Sequence, residues 1–266
     1  MIKLFQIKNY AIPNTIEEAY QLLNEKRANT LLGGCGFLKM GKKTIPTAID
    51  LSHLGLDKIK EDENAIEIGA MTSFRAVEVS SILNDHFDGI LPRAVKEILG
   101  VQFRNVVTVG ATVYSRYGFS DFITALLALD AYVILYKGGK IPLAAFLAQG
   151  CQKDILIKIV ILKKNTRAAF HAMRNSQGDY AILNVAVSKE NNEFKIAVGA
   201  RPQRAMIARE ASKLLGEGQL SEAMIEEVSI LAAKELTFGS NMRGTKEYRQ
   251  ILCKALVKRG IKEVLS

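Results

Sequence analysis

The 266-residue sequence is poor in the residues that bind metals and form disulfides. It contains three cysteines, three histidines and no tryptophan. Cys35, Cys151 and Cys253 are far apart and odd in number, so they form neither a disulfide framework nor the four-thiolate set of an iron–sulfur cluster. The histidines show no HExxH spacing. These absences predict a chain that binds no metal.

Long apolar runs and blocks of like charge are also missing. No apolar run approaches the roughly 20 residues that span a bilayer, and the N-terminal residues lack the apolar core of a signal peptide. The net charge of +9 comes from basic residues that are scattered among acidic ones. Dispersed charge is typical of a solvated surface, so we expect a cytoplasmic protein with no membrane span and no nucleic-acid partner.

Short strands and helices alternate along the first part of the chain. Thr15 and Glu18 form a capping box, and apolar residues follow at helical spacing, which predicts a first helix at 13–26. Apolar and β-branched runs predict strands at 29–34, 47–52, 65–73 and 154–162, and a hairpin at 131–143. Further helices are expected at 74–84, at 91–100 with Gly100 as C-cap, and at 120–130 with Ser120 as N-cap. Residues 105–115, β-branched and interrupted by glycine, predict a strand or a turn.

The pattern changes after about residue 165. Residues 167–176, 179–190 and 193–200 predict three antiparallel strands, the last two joined through Asn191-Asn192. Residues 204–218, 220–236 and 245–265 then predict three helices. A run of strands followed by a run of helices is typical of a separate α+β unit. The sequence therefore predicts two units in close contact.

One candidate site is the glycine-rich loop Gly33-Gly34-Cys35-Gly36, which follows a predicted strand. Glycines allow close approach and positive φ, so backbone N–H groups can converge on an anion. The loop matches neither G-x-G-x-x-G nor G-x-x-x-x-G-K-[ST], and an ordinary tight turn explains it equally well. A catalytic Cys35 thiolate is the weakest alternative, because no histidine lies beside it in the sequence.

A second candidate is the segment from Thr108 to Phe122. It offers backbone at Gly110 and Ala111 and a series of hydroxyl groups, on Thr108, Thr112, Ser115 and Ser120. Asp121 begins the helix that follows, where a carboxylate can accept hydrogen bonds from ribose hydroxyls or simply pair with the helix dipole. Two such loops, each after a strand, favour a nucleotide-type cofactor.

Ordered motifs along nearly the whole chain resemble one known family. "LLGGCGFLKM" is similar to its G-G-T-D-L-L loop, and "QFRNVVTVGATVYSRYGFSDFITALLALDA" to its Q-I-R-N-x-A-T-I-G-G-N, S-D and L-x-A-L-D-A motifs. "RNSQGDYAILNVAVS" and "MRGTKEYRQILCKALVKR" resemble two later motifs. The family comprises the FAD-binding medium subunits of molybdenum hydroxylases, such as xanthine dehydrogenase and carbon monoxide dehydrogenase.

The resemblance implies a fold and a domain division. It implies an α+β protein with an FAD-binding fold of the vanillyl-alcohol oxidase (PCMH) type over residues 1–164, in two subdomains of about 1–55 and 56–164. A small C-terminal α+β domain of the CO dehydrogenase flavoprotein type follows at 165–266, with a three-stranded antiparallel sheet and three helices. FAD is expected between the two.

The resemblance also implies which residues contact FAD. The two glycine loops would hold the diphosphate, mostly through backbone amides, and the flavin ring would lie near the domain junction. The matching positions are Leu31, Gly33, Gly34, Cys35, Gly36 and Leu38 in the first loop, and Val107, Thr108, Gly110, Ala111, Thr112, Ser115, Ser120 and Asp121 in the second. Ile98, Leu156 and His171 align with further flavin-contacting positions.

The sequence departs from the family pattern at four places. Cys35-Gly36 replaces Thr-Asp or Thr-Ser, and Gly110-Ala111-Thr112 replaces Gly-Gly-Asn. Asn241 replaces an aspartate that we expect to pair internally, and His171 stands where xanthine dehydrogenases can carry lysine. A protonated His171 beside the flavin could stabilise reduced anionic flavin; the alternative is a surface histidine on a strand. Backbone donation survives the Cys35-Gly36 change, so FAD binding is still expected.

The family resemblance finally implies a role and partners. Substrate would be hydroxylated at a molybdopterin centre on a large subunit. Electrons would pass through [2Fe–2S] clusters on a small subunit to FAD on this chain, and then to NAD⁺ or another acceptor. No residue here is expected to act on the organic substrate, whose identity stays open. The alternative is a non-catalytic scaffold that has lost FAD and only docks the partner subunits.

Overall fold

The computed structural model describes residues 5–150 and 152–266, so Cys151 lies outside the described residues. The strands are β1 (Gln6–Ala11), β2 (Thr30–Leu32), β3 (Thr44–Asp50), β4 (Ile59–Glu61), β5 (Ala65–Gly69), β6 (Tyr132–Leu135), β7 (Gly139–Pro142), β8 (Leu156–Leu162), β9 (Thr166–Arg174), β10 (Ala181–Glu190), β11 (Glu193–Gly199) and β12 (Met206–Ile207). The helices are α1 (Ile16–Glu25), α2 (Phe74–Val79), α3 (Ser81–Asp85), α4 (Ile90–Val95), α5 (Val101–Val106), α6 (Val109–Tyr114), α7 (Asp121–Ala128), α8 (Leu143–Gln149), α9 (Arg209–Glu217), α10 (Glu222–Glu235) and α11 (Lys246–Leu265). None of these helices is long and apolar enough to cross a membrane.

The N-terminal part is a small parallel sheet with strand order β1-β3-β2, covered by α1. Thr15 caps α1 as predicted, because its Oγ1 accepts from the Glu18 N–H at 3.1 Å. Ala19 and Leu23 of α1 pack against Ile49 of β3. The sequence analysis missed β1, whose residues are mostly exposed and therefore show no alternation of apolar and polar side chains.

The middle part is a five-stranded antiparallel sheet with strand order β4-β5-β8-β6-β7. The predicted hairpin is confirmed as β6 and β7, and the predicted strand at 154–162 as β8. The apolar face of this sheet packs against α2, α4, α6 and α7, whose buried side chains form the main core. Phe74 of α2 and Phe122 of α7 lie at its centre, with ring centroids 5.2 Å apart.

The C-terminal part is an antiparallel sheet with strand order β12-β11-β10-β9. Its two faces are both covered. Ala186 of β10 packs with α4 and α7 in the main core, whereas its neighbours Val185 and Val187 pack with α10 and α11. Because successive side chains of a strand point to opposite faces, β10 is buried along most of its length. The sheet thus joins the C-terminal helices to the rest of the molecule.

This sheet has four strands instead of the predicted three. Residues 206–207 form β12, which pairs with Ala197 and Val198 of β11. The predicted helix at 204–218 therefore starts only at Arg209. A two-residue strand carries too little periodicity to be separated from the helix that follows it.

Three local predictions around the helices were wrong in detail. Gly100 is the N-cap of α5 instead of a C-cap; the positive φ (+47°) belongs to Leu99, whose N–H donates to Gly178 O at 3.1 Å. The helix expected at 74–84 breaks at Ser80, which caps α3. Residues 109–114 form α6 instead of a strand or turn, because Thr108 caps this helix and its valines are buried. Tertiary packing outweighs the β propensity of the valines there.

Candidate functional site

A cleft of about 490 Å³ lies between the N-terminal parallel sheet and the five-stranded sheet. This volume falls in the range of roughly 300–1,000 Å³ that is typical of small-molecule sites. The wall is largely apolar. Twelve of the seventeen predicted cofactor positions line it: Leu31, Gly33, Cys35, Gly36, Leu38, Val107, Thr108, Gly110, Ala111, Thr112, Ser115 and Leu156.

The first glycine loop turns sharply at the edge of this cleft. Gly34 and Cys35 adopt successive left-handed conformations, with φ of +75° and +58°. Among the described residues, no oxygen accepts a hydrogen bond from the N–H groups of Gly34, Cys35, Gly36 or Phe37. Consecutive N–H groups without partners form a concave anion site of the kind that holds phosphate. This loop is therefore equipped to bind a diphosphate.

The glycines of the two loops are required by the way the loops pack on each other. A Cβ on Gly33 would lie 2.7 Å from the Ala111 Cβ, and one on Gly34 would lie 1.9 Å from the Val106 carbonyl oxygen. A Cβ on Gly110 would lie 2.7 Å from the Ala70 Cβ. The Ala111 methyl, a departure from the family pattern, fills the space over Gly33. Glycine here permits close contact between protein segments as well as access to an anion.

The second loop has few backbone donors left for a ligand. The Val109 N–H donates to Thr72 O at 2.9 Å, the Gly110 N–H to Ala70 O at 2.7 Å, and the Ala111 N–H to Thr108 Oγ1 at 3.3 Å. The loop therefore offers the cleft mainly hydroxyl groups, those of Thr108, Thr112 and Ser115. The prediction that both loops hold a diphosphate through amides is better supported for the first loop than for the second.

A smaller cavity of about 40 Å³ continues the cleft towards the C-terminal sheet. It shares Phe37, Val107, Thr112 and Tyr117 with the cleft. Aromatic rings surround it: Phe37 lies 5.2 Å from Tyr117 and 5.8 Å from Phe119, and Phe119 lies 5.0 Å from Tyr180. Ile98, Ser120 and Asp121 line this cavity and not the main cleft.

Asp121 is buried and its two oxygens already have partners. Oδ2 accepts from Arg174 Nη2 at 2.7 Å, and Oδ1 accepts from Asn184 Nδ2 at 2.5 Å. Burial raises the pKa of the Asp121 carboxyl, and the guanidinium and the amide oppose that shift. The carboxylate thus ties α7 to β9 and β10. Ser120 caps α7 through its Oγ, which accepts from the Ile123 N–H at 3.2 Å.

His171 lies on the far side of the C-terminal sheet. Its neighbours Phe170 and Ala172 on β9 pack towards the main core, so His171 points to the opposite face, against α11. There its Nε2 lies 2.9 Å from Glu263 Oε2. Burial lowers the pKa of the imidazole, against the opposing charge of Glu263. The suggestion that His171 lies beside a flavin is therefore not supported by its position.

Cys35 lines the cleft but has no activated thiol. Burial raises the pKa of the Cys35 thiol more than the nearby Gly33 N–H lowers it, and the charge of Asp50 raises it further. A protonated thiol is a poor nucleophile. The structure thus favours a role for Cys35 through its backbone in the loop and not as a catalytic nucleophile.

The sequence analysis missed several residues of the site. Asn29 and Lys153 line the cleft, Phe37 and Tyr117 supply its aromatic end, and Tyr180 lines the smaller cavity beside it. Asn29 is the first residue of the strand predicted at 29–34, which leads into the first loop. Phe37 directly follows the first glycine loop and Tyr117 lies within the second candidate segment, whereas Lys153 and Tyr180 come from sequence-distant segments, for which no local pattern exists.

Comparisons with known proteins identify the family of this chain. A family described as "FAD binding domain in molybdopterin dehydrogenase" matches residues 4–163, and "CO dehydrogenase flavoprotein C-terminal domain" matches residues 168–264. The nicotine 6-hydroxylase medium subunit of Paenarthrobacter nicotinovorans is 24% identical over 272 residues, which cover 96% of both chains. The glyceraldehyde dehydrogenase medium chain of Sulfolobus acidocaldarius is also 24% identical, over 96% of this chain and 98% of the relative.

The fold also matches solved structures. A chain of a carbon monoxide dehydrogenase from Hydrogenophaga pseudoflava that lacks the Mo-pyranopterin moiety superposes with a TM-score of 0.89 and 22% identity. The superposition covers 97% of this chain and 96% of that one. An FAD-binding fold followed by a small α+β domain defines a flavoprotein component of an oxidoreductase. The chain belongs to the molybdopterin dehydrogenase family, as an FAD-binding medium subunit.

Proposed function

We propose that FAD binds in the 490 Å³ cleft, with its diphosphate on the first glycine loop. The observation that carries this assignment is the run of N–H groups from Gly34 to Phe37 that have no protein partner in the described residues. An anion placed on this loop can accept hydrogen bonds from these free donors. The hydroxyl groups of Thr108 and Thr112 face the same cleft and complete the polar contacts.

The aromatic end of the cleft is the place for the flavin ring. Phe37 and Tyr117 line both the cleft and the smaller cavity beside it, and Leu156 and Val107 add apolar surface. Apolar and aromatic side chains exclude water from a planar ring system and hold it by stacking. The paired Asp121–Arg174 groups keep that end of the cleft fixed to the C-terminal sheet.

The bound FAD supplies the redox chemistry, and the residues of this chain bind it, orient it and shield it from water. We further propose that electrons reach it from [2Fe–2S] clusters of a small partner subunit, after hydroxylation at a molybdopterin centre of a large subunit. They then leave to NAD⁺ or another acceptor. The two relatives reported above are named as medium subunits or chains, which supports a three-subunit assembly.

Co-expression with the chains of neighbouring genes tests this proposal. We expect the protein to co-purify with one molybdopterin-binding chain and one small iron–sulfur chain. Anaerobic reduction of the iron–sulfur chain should then bleach the flavin absorbance, and NAD⁺ should restore it if NAD⁺ is the acceptor. A flavin that stays oxidised while the clusters are reduced would refute the electron route.

The scaffold alternative makes a different prediction. A chain that only docks its partners would co-purify with them yet stay colourless after incubation with FAD. The unpartnered amides of the first loop favour the flavoprotein, because a run of free N–H donors beside a cleft suits an anionic ligand, and a scaffold that only docks its partners has no need of one.

A further inference from the structure

The two ends of the cleft differ in chemistry. One end is lined by Phe37 and Tyr117 and adjoins the smaller cavity. The other end lies against α1 and β2 and is lined by Leu23, Asn29 and Leu51. The first glycine loop follows β2 directly and lies between these ends. A dinucleotide with its diphosphate on this loop therefore places one ring-bearing half at each end.

Asn29 is the polar side chain of interest at the α1 end. The residue is 3% exposed, and its Nδ2 donates to the Leu22 carbonyl oxygen at 2.6 Å. Its backbone N–H donates to Lys26 O at 3.1 Å. Because a carbonyl oxygen can only accept, the side-chain amide cannot be reversed, and Oδ1 must point away from Leu22.

The Asn29 Oδ1 atom is buried and accepts no hydrogen bond within the described part of the chain. Lys153 also lines the cleft, but it does not donate a hydrogen bond to Asn29 Oδ1. Its ammonium group donates instead to the carbonyl oxygens of Lys26 at 2.9 Å, of Arg27 at 3.2 Å and of Leu23. A buried acceptor without a partner is unfavourable, because it has lost its hydrogen bond to water and gained none in return. A donor supplied by a ligand removes that cost.

We propose that Asn29 selects adenine as the base of the dinucleotide, with Oδ1 accepting a hydrogen bond from the exocyclic amine. Leu23, Leu31 and Met71 line the same end of the cleft and provide apolar surface for the faces of a purine. An oxo group in place of the amine would set two acceptors against each other. This inference rests on the proposed function, since it requires FAD in the cleft.

The test is a comparison of two ligands on purified protein freed of flavin. Titration with FAD and with its hypoxanthine analogue, in which an oxo group replaces the amine, gives a preference ratio within one protein. We expect the wild type to prefer FAD by roughly tenfold, the equivalent of one hydrogen bond. Asn29→Leu should bring that ratio close to one, whereas Asn29→Asp, which keeps an acceptor, should retain a preference for FAD.

Asn24→Leu is the matched control. Asn24 Nδ2 donates to the Tyr20 carbonyl oxygen at 2.9 Å on the exposed side of α1. The substitution therefore removes a similar side-chain hydrogen bond to the α1 backbone but changes no residue of the cleft. This variant should keep the wild-type ratio. Equal affinity of the wild type for both ligands would overturn the role of Asn29 while leaving FAD binding intact. Failure of both ligands to bind the wild type would instead refute the proposed function and the inference with it.

Discussion

Cys35 adopts a left-handed conformation (φ of +58°) in the first glycine loop, next to Gly34 at +75°. A side chain with a Cβ is strained there by roughly 1–2 kcal/mol, and a β-branched one more so. The threonine of the family pattern therefore fits this backbone less well than cysteine does, and glycine fits it best.

Substitutions at Cys35 test this backbone conformation. Cys35→Gly should raise the free energy of unfolding by up to about 1 kcal/mol, and Cys35→Thr should lower it by about 1 kcal/mol. Urea denaturation measures both, with Cys35→Ser as the control that removes only the sulfur. A Thr variant as stable as the Gly variant would contradict the left-handed loop.

Gly110 provides a second prediction at the residue scale. It lies inside α6, where alanine would ordinarily stabilise a helix, but an added Cβ would lie 2.7 Å from the carbonyl oxygen of Ala70. Gly110→Ala should therefore destabilise the protein by about 3 kcal/mol and weaken FAD binding, because the second loop must shift.

Gly139→Ala is the control for that variant. Gly139 has a positive φ (+67°), but no atom lies within 4 Å of the place that an added Cβ would take, so only a backbone cost of about 1 kcal/mol is expected. Thermal unfolding and a flavin titration compare the two variants. Equal losses of stability and of flavin affinity in the two variants would show that the close approach of Gly110 to Ala70 does not fix the position of the second loop.

At the scale of elements, α11 is anchored by Arg249, which is 1% exposed. Its guanidinium donates to Ile182 O at 2.8 Å, Gly239 O at 2.7 Å and Asn241 Oδ1 at 2.7 Å. These acceptors are neutral, and burial lowers the pKa of the guanidinium. Position 241 therefore pairs internally through an amide, where the family pattern has a carboxylate.

Asn241→Asp should supply the missing countercharge. We expect the free energy of unfolding to rise by about 1 kcal/mol at neutral pH, since a charged acceptor strengthens the bond to Arg249. The gain should disappear as the new carboxyl protonates in acid. Chemical denaturation measures it, with Asn192→Asp in the β10–β11 turn adding the same charge elsewhere. A loss of stability specific to Asn241→Asp would contradict the pairing.

The contact between β9 and α11 predicts a pH dependence. Burial lowers the pKa of His171 in the folded state, opposed by Glu263, while Arg93 and Arg259 add to the lowering. Above pH 6.5, the ordinary value, the imidazole is mostly neutral in both states. As the pH falls below that value the unfolded chain takes up the proton more readily, so stability decreases.

His171→Gln should flatten this decrease. Unfolding free energies measured at several pH values between about 7.5 and 5 compare the variant with the wild type, whose slope should be the steeper. Identical slopes would show that His171 titrates alike in both states and that its burial against α11 is unimportant.

For the whole molecule, the longer helices and strands could be predicted from sequence, several short elements such as β1, β4 and α8 could not, and the arrangement of the cleft could be predicted only in part. The helix capped by Thr15, the hairpin β6–β7 and the strands β8 to β11 carry strong local periodicity. The second loop was misjudged as a strand or turn because burial of Val109 and Val113, a tertiary effect, decides its helical form. Asn29 and Lys153 enter the cleft through contacts with the end of α1 that no linear spacing reveals.

The family resemblance correctly indicated where the two candidate loops lie in the sequence. It did not indicate the direction in which every side chain points. Alignment placed His171 among flavin-contacting positions, whereas the two-residue alternation of β9 turns it towards α11 and turns Arg174 towards Asp121. The register of β9 decides which face of the sheet each of its side chains points to, and pairing with β10 sets that register. Motifs therefore predict the site's backbone better than its side-chain contacts.

The most direct test of the central claim is the flavin content of the purified chain. After denaturation, the released cofactor should be FAD, in about one equivalent per chain, and protein freed of flavin should take up one equivalent again. Gly34→Val, which forces a β-branched side chain onto the Val106 carbonyl oxygen, should abolish that uptake. A wild-type protein that stays colourless after incubation with FAD would contradict the account.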